Sequence, residues 1–359
     1  MEIISLLKEM TEMGASDLFL TVGAPPSVKV VGKVQRMSKE NCTLDDIEKN
    51  VLGLMNEKQK NEFESTHECN FAFAAKNTGR FRVSAYIQRG HPACVIRHIK
   101  ALIPSIEELK LPETLREIAM LKKGLVLIIG GTGVGKTTTL AAMLNYRNKM
   151  SSEHILTVED PIEYLHSHGK SIFTQREVGV DTESFDIALK NALRQSPDVI
   201  QIGEIRDLNT MRHALAFSET GHLCLATLHA SNTTQALERM AHFYPEDIRD
   251  QLWLDLSLNL RSIVGQKLIA HVTEHKNVPA VEILINTPII QERIRRGEAH
   301  LINDQISQQN EQGMRSFDQA LYLLHTQGEI TLEEALANAH SVNDLRLMIK
   351  LKTNKPISE

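Results

Sequence analysis

Apolar residues recur at Ile3, Leu6, Leu7 and Met10, the spacing of one helical face, so a short amphipathic helix is predicted to open the chain. Ser16–Val22 reads as a strand, closed by a turn at Gly23–Pro26. Ser27–Val34, Asn70–Ala75, Arg80–Gln88 and Ala93–Ile99 are further strand candidates, and Leu44–Phe63 reads as largely helical. Residues 1–100 therefore predict a small mixed α/β domain. Pro104 and Pro112 mark Leu102–Leu115 as linker, with the linker region placed at 101–118 and a second domain at 119–359.

The pattern then changes. Leu125–Ile129 is a buried-strand run, Thr138–Tyr146 a helix and His154–Val158 a strand. Phe185–Leu193 is a helix stopping before Pro197, Val199–Ile202 a strand, Met211–Phe217 a helix and Leu223–Leu228 a strand. Such alternation implies a mostly parallel sheet covered by helices. Asp247–Ala270 is expected to be mainly helical, with Leu252, Leu256, Leu260 and Ile263 sharing one apolar face that packs in the core or at an interface. From Ser316 onward the chain reads as helices with a break at Gly328.

Composition narrows the function classes. A chain of 359 residues with net charge −5 and no long single-sign run lacks the basic footprint of a general nucleic-acid binder. Cys42, Cys69, Cys94 and Cys224 are scattered, at neither zinc-ligand nor disulfide-framework spacing, which suits a reducing compartment. The first eleven residues lack the features of a signal peptide, and the Leu125–Ile129 run is too short to span a bilayer, so membrane association would come through a partner.

The strongest chemical signal is GGTGVGKT, Gly130 to Thr137, which fits G-x-x-x-x-G-K-[ST] with a strand before and a helix after. Backbone N–H groups of such a loop wrap a β-phosphate, and side chains would block that approach. The expected nucleotide contacts are Gly130, Gly131, Thr132, Gly133, Val134, Gly135, Lys136, Thr137 and Thr138. Lys136 would neutralise the β- and γ-phosphates of ATP, and the Thr137 hydroxyl would face Mg²⁺. Acids follow two of the strands. Glu204 closes VIQIG and either polarises the attacking water or helps hold the metal; otherwise it is a surface acid at a strand end. Glu159 and Asp160 reach the same edge, with Glu163 one turn later, and any of these can orient water or the Mg²⁺ shell. His222 and His229 flank LCLATL; His229, at its carboxyl end, would sense the γ-phosphate or line a subunit contact. No third ligand stands near this pair, so zinc is not expected.

These blocks occur in an order that resembles the secretion ATPases and, within them, the twitching-motility ATPases of type IV pili, the PilT/PilU family. GASDLFLTVGAPP (Gly14–Pro26) is similar to the opening of that family's PAS-like domain, ILTVEDPIEY (Ile155–Tyr164) to its Asp box and VIQIGEIRD (Val199–Asp207) to its Walker B segment. TGHLCLATLHA (Thr220–Ala230) is similar to its His box and GMRSFDQAL (Gly313–Leu321) to a C-terminal segment. The resemblance implies an N-terminal PAS-like mixed α/β domain followed by a RecA-like P-loop ATPase domain with C-terminal helices. It implies a homo-hexameric ring with ATP and Mg²⁺ at its seams. It also implies Glu204 as catalytic glutamate, Glu163 in the acidic cluster, His222 and His229 as the histidine pair, and Arg82 and Arg97 as arginines reaching the nucleotide. From the residues alone, those arginines simply face solvent.

The longer N-terminal region and the four zinc-binding cysteines usual in extension ATPases are missing, which favours the retraction branch. PIIQERIRRG (Pro288–Gly297) departs at its centre from the AIRNLIRE-like motif of PilT-type members, while QRGHPACVIRHIK (Gln88–Lys100) and the long C-terminal tail resemble PilU-type members. The resemblance thus implies a hexameric ATP-hydrolysing motor supporting pilus retraction and twitching, as an accessory to a PilT-type motor. It would sit in the cytoplasm at the pilus base, against an inner-membrane platform protein. The alternatives are the primary PilT-type motor and a nucleotide-gated structural subunit.

Overall fold

The computed structural model describes residues 2–30, 32–76, 78–99, 102–273, 276–308 and 313–353. Met1, Lys100, Ala101 and the tail from 354 onward, all of which entered the sequence expectations, lie outside the described residues. The chain forms two units: Met1–Leu102 with Ile162–Leu165, and Ile103–Pro161 with His166–Glu359.

In the first unit, Ile3, Leu6, Leu7 and Met10 form the buried face of helix α1 (Ile3–Glu12). They meet the inward side of an antiparallel sheet. Its strands are β1 (Asp17–Thr21), β2 (Ser27–Val30), β3 (Lys33–Arg36), β4 (Glu68–Ala75), β5 (Gly79–Gln88) and β6 (His91–Ile99), in the order β3-β2-β1-β6-β5-β4. Alternation decides the faces: Phe81, Val83 and Ala85 point into the core while Arg80, Arg82 and Ser84 point outward. The stretch expected as one helix is two, α2 (Leu44–Asn50) and α3 (Glu57–Thr66). Asn56 explains the break, because its side chain caps α3 in a reciprocal box with Gln59. The expected strand Ser27–Val34 is likewise two, paired as a hairpin.

The second unit is built on a seven-stranded sheet. After α4 (Thr114–Ala119) come β7 (Gly124–Ile129), α5 (Lys136–Met150), β8 (His154–Glu159), β9 (Ile172–Glu177), α6 (Phe185–Ala192), β10 (Val199–Ile202), α7 (Leu208–Glu219), β11 (Leu223–Leu228) and α8 (Thr233–His242). Every residue of β7, β10 and β11 is buried, as helices on both faces of a parallel sheet require. The chain continues as α9 (Arg249–Asn259), β12 (Leu260–Ala270), β13 (Asn277–Ile285), α10 (Pro288–Arg295), α11 (Ile302–Gln308), α12 (Phe317–Thr326), α13 (Leu332–Ala337) and α14 (Val342–Thr353). The sheet order is β13-β12-β7-β11-β10-β8-β9, parallel except where β13 pairs with β12.

One expectation is overturned here. Asp247–Ala270 is not mainly helical: the helix stops at Asn259 and β12 begins at Leu260. Leu252, Leu256, Leu260 and Ile263 are all fully buried, but the first pair sits on α9 and the second on β12. A segment buried on both faces shows no period of its own, so its apolar residues continued the helical count by coincidence. Strands β9 and β13 were not foreseen. Neither shows an apolar alternation that would have marked it: β9 carries Thr174, Gln175 and Arg176, and β13 is nearly continuously apolar from Val278.

Candidate active site

Parallel strands deliver their carboxyl ends to one edge of the second unit's sheet, where ligands of such sheets bind. Ile129 pairs with Leu228, and Ile202 with both Ala226 and Val158. The residues that follow these positions therefore meet: the loop from Gly130, Glu204 after Gly203, Glu159 with Asp160, and His229. Six buried residues away, at the amino end of β11, stands His222. That length separates it from the loop edge by roughly 20 Å at a strand's rise per residue. Its ring bonds Thr220 Oγ1 at 3.0 Å, not any part of the loop.

The loop needs glycine at its first position for two reasons. Gly130 has φ of 153°, and a Cβ there would lie 2.6 Å from the carbonyl oxygen of Gln266. Helix α5 starts at Lys136, so its first-turn N–H groups face the loop's concavity. Lys136 is buried and folds back, donating to the carbonyls of Gly130 at 3.0 Å and Gly131 at 2.7 Å. Gly131, Thr132 and Gly133 are exposed, while Val134, Thr137 and Thr138 are half-buried. Beside the loop, Gly133, Gly135, Thr138, Leu111, Leu268 and Pro279 line a cleft of about 390 Å³.

Gln266, a buried amide on β12, braces this loop. Its Nε2 donates to the Val134 carbonyl at 2.8 Å, and its Oε1 accepts from Thr139 Oγ1 at 2.7 Å. Sequence reasoning missed it. The only signal is a polar residue inside an apolar run whose spacing reads as helix.

Glu204 is set by a fixed turn. The Gly203 N–H donates to the Val158 carbonyl at 2.8 Å, and Thr227 Oγ1 donates to the Gly203 carbonyl at 2.6 Å. A Cβ on Gly203 would lie 3.2 Å from the backbone of Glu159, so the small residue permits two strand ends to close together. Arg206 then donates through Nε to Glu204 at 2.9 Å and through Nη1 to Asp160 at 3.2 Å, bridging the two acids. It lies within the quoted VIQIGEIRD segment, where sequence reasoning gave it no role. His229 Nε2 lies 3.5 Å from Glu204. Burial, then the nearby Lys136 charge, push the His229 pKa down, against an upward pull from Glu204. Its ring is therefore neutral at neutral pH, and the contact is not an ion pair.

Glu159 is buried and accepts from Thr157 Oγ1 at 2.7 Å and Gln175 Nε2 at 3.2 Å. Gln175 in turn accepts from the His166 N–H at 2.8 Å. The His166 ring is half-buried, stacks on Phe173 at 4.3 Å, and desolvation pushes its pKa down to about 4. Asp160 is partly exposed, and Glu163 is exposed in the stretch that groups with the first unit.

Arg82 and Arg97 stand opposite each other on β5 and β6, so both side chains leave the same face. Like charges so placed repel, and Asp17 offsets this: Arg97 Nε donates to its buried carboxylate at 2.8 Å, and Ser16 Oγ donates to the other oxygen at 2.8 Å.

The four cysteines are buried and unpaired, and among the described residues no group of three or more acids, histidines and cysteines could hold a metal ion by itself. No helix of the described residues is long and apolar enough to cross a membrane.

Comparison with known proteins agrees with this architecture. The family model described as "Type II/IV secretion system protein" matches residues 5–346. The type IV pilus ATPase PilU of Pseudomonas aeruginosa is 56% identical over 98% of this chain and 92% of its own length. The type IV pilus retractation ATPase PilT of the same organism is 38% identical over 94% of this chain and 98% of its own length. The solved structure of the pilus retraction motor PilT with bound ADP superposes with a TM-score of 0.90 at 38% identity, covering 97% of this chain and all of that one. The chain thus belongs to the type II/IV secretion system protein family, in its PilT/PilU branch of secretion ATPases.

Proposed function

We propose that this chain is an ATP-hydrolysing motor subunit that supports type IV pilus retraction and twitching as a PilU-type accessory to a PilT-type motor. In this reading, 1–100 is the PAS-like domain, 101–118 the linker and 119–359 the ATPase domain. Copies assemble as a hexamer in the cytoplasm against an inner-membrane platform protein. The observation that carries the reading is convergence: the loop, Lys136, Glu204 and His229 stand at one sheet edge, and residues of the loop also line a cleft of about 390 Å³.

The chemistry follows from the geometry. The loop's N–H groups and Lys136 bind phosphate, Lys136 leaving the two carbonyls it now holds. Glu204, oriented by Arg206, positions a water and takes its proton. Neutral His229 offers a hydrogen bond without adding charge. Mg²⁺ draws most of its ligands from phosphate and water. The donors present, the Thr137 hydroxyl with Glu159 and Asp160 through water, suit that chemistry, and the ion would neutralise phosphate charge. Arg82 and Arg97 are assigned, by family resemblance, to stabilising the transferring phosphoryl group, and Glu163 to the acidic set. The place of His222 at the far edge favours a role away from its own chain's loop.

The test has two levels. Lys136→Ala is expected to cut phosphate release at least ~10²-fold, the size of losing one charge-stabilising donor. In cells, retraction is measured with this chain alone, the PilT-type motor alone, both, and both with Glu204→Ala in this chain. Retraction only with the partner, weakened under load by Glu204→Ala, supports the accessory motor. Retraction by this chain alone makes it a primary motor, and full function of the substituted chain makes it a scaffold.

A further inference from the structure

A second cavity, of about 170 Å³, shares Lys110, Leu111 and Pro279 with the nucleotide cleft. Its lining mixes apolar residues, Leu111, Pro112, Val281 and Leu323 among them, with Lys110, Arg315 and Gln327, and the surface it presents is mostly polar. Arg315 is part of this lining. Its backbone is fixed by exchanging hydrogen bonds with Ile283 of β13, at 2.7 and 3.0 Å. Its guanidinium is half-buried, and among the described residues no carboxylate, carbonyl or ring partners it. Burial pushes its pKa down, with nothing acting the other way. The other cation on the wall, Lys110, is already held by both carboxylate oxygens of Glu329, at 2.7 and 2.8 Å. Among the described residues no acid lines the cavity, and Gln327 adds an amide.

A guanidinium taken partly out of water without a counter-charge among the described residues carries a desolvation cost that none of them offsets. Its planar fork of donors matches the paired oxygens of a phosphate, sulfate or carboxylate. We propose that this cavity is a regulatory oxyanion site, with Arg315 as its anchor and Lys110 and Gln327 at its rim. Lys110, Leu111 and Pro279 line both this cavity and the nucleotide cleft. An oxyanion held on one side therefore stiffens a wall of the other, and the two ligands are coupled. The coupling rests on the nucleotide reading; the site does not.

The experiment uses the full chain saturated with ADP, so that the phosphate loop is occupied. Melting temperature is followed as sodium sulfate replaces sodium chloride at constant ionic strength, with acetate as a separate arm that distinguishes carboxylate from tetrahedral oxyanion sources. Sulfate is expected to raise the wild-type value by about 2–4 °C, and to leave Arg315→Met unmoved. Equal rises in both proteins, or none in the wild type, overturn the site. In chloride alone, Arg315→Met is expected to melt no lower than the wild type, because it removes an uncompensated charge. A marked fall there shows the guanidinium already neutralised and also overturns the proposal. ADP affinity is then measured with and without sulfate: a several-fold change in the wild type that Arg315→Met abolishes supports the coupling. An unchanged affinity where sulfate does bind removes the coupling and leaves the anion site standing.

Discussion

The two edges of the parallel sheet carry similar residues and opposite prospects. At the carboxyl edge, His229 stands beside Glu204, near Lys136, within a web of fixed turns. At the amino edge, His222 bonds a neighbouring threonine and the backbone of its own helix end. In the sequence both belong to one compact segment. In the fold, six strand residues carry them to different places. Proximity along a chain therefore says little about shared chemistry once a strand lies between; direction along the strand decides.

The contrast can be broken most forcefully at Glu204. Glu204→Gln keeps the shape but loses the proton acceptor, so kcat is expected to fall ~10²–10³-fold while ADP affinity holds. Titration and turnover assays check this, and an unchanged kcat would move the proton-accepting carboxylate elsewhere on the edge.

A second probe reaches the groups behind Glu159. Burial holds His166 neutral down to about pH 4, against 6.5 in the unfolded chain. Between those values the unfolded chain binds a proton that the folded chain refuses, so stability falls as pH drops through that window. The contribution is on the order of 3 kcal/mol. His166→Phe keeps the ring stack and should flatten that part of the melting profile; an unaltered slope would mean that the ring is open to protons when folded.

Gln266→Ala leaves the loop without its brace and should weaken ADP binding about tenfold, the size of one lost buried hydrogen bond. Gln266→Glu, measured alongside, separates loss of the donated bond from loss of volume.

The smallest effect is expected at the far edge. His222→Asn should leave ADP affinity within about twofold, as for a side chain remote from the ligand. A tenfold loss would erase the distinction between the edges.

What could be read in advance follows the same logic. The phosphate loop was legible because its chemistry is local: glycines, lysine and threonine act where they stand in the chain. Glu204 and Glu159 were legible because a strand of apolar residues announces where its end will lie. Gln266 was not, since its partners Val134 and Thr139 are far away in sequence and its own strand was taken for helix. Nor was the separation of His222 from His229, which depends on strand length and not on residue type. The first unit's strands were foreseen where one face met water, as in β5, whose alternation survives because only one side is covered.

The backward fold of Lys136 onto Gly130 and Gly131 has a consequence for binding. Those two carbonyls belong to the loop itself, so phosphate binding would trade one set of acceptors for another at the same ammonium. Arrival of a nucleotide is then an exchange and not an addition, and the anion's own bonds must offset the two that the lysine gives up.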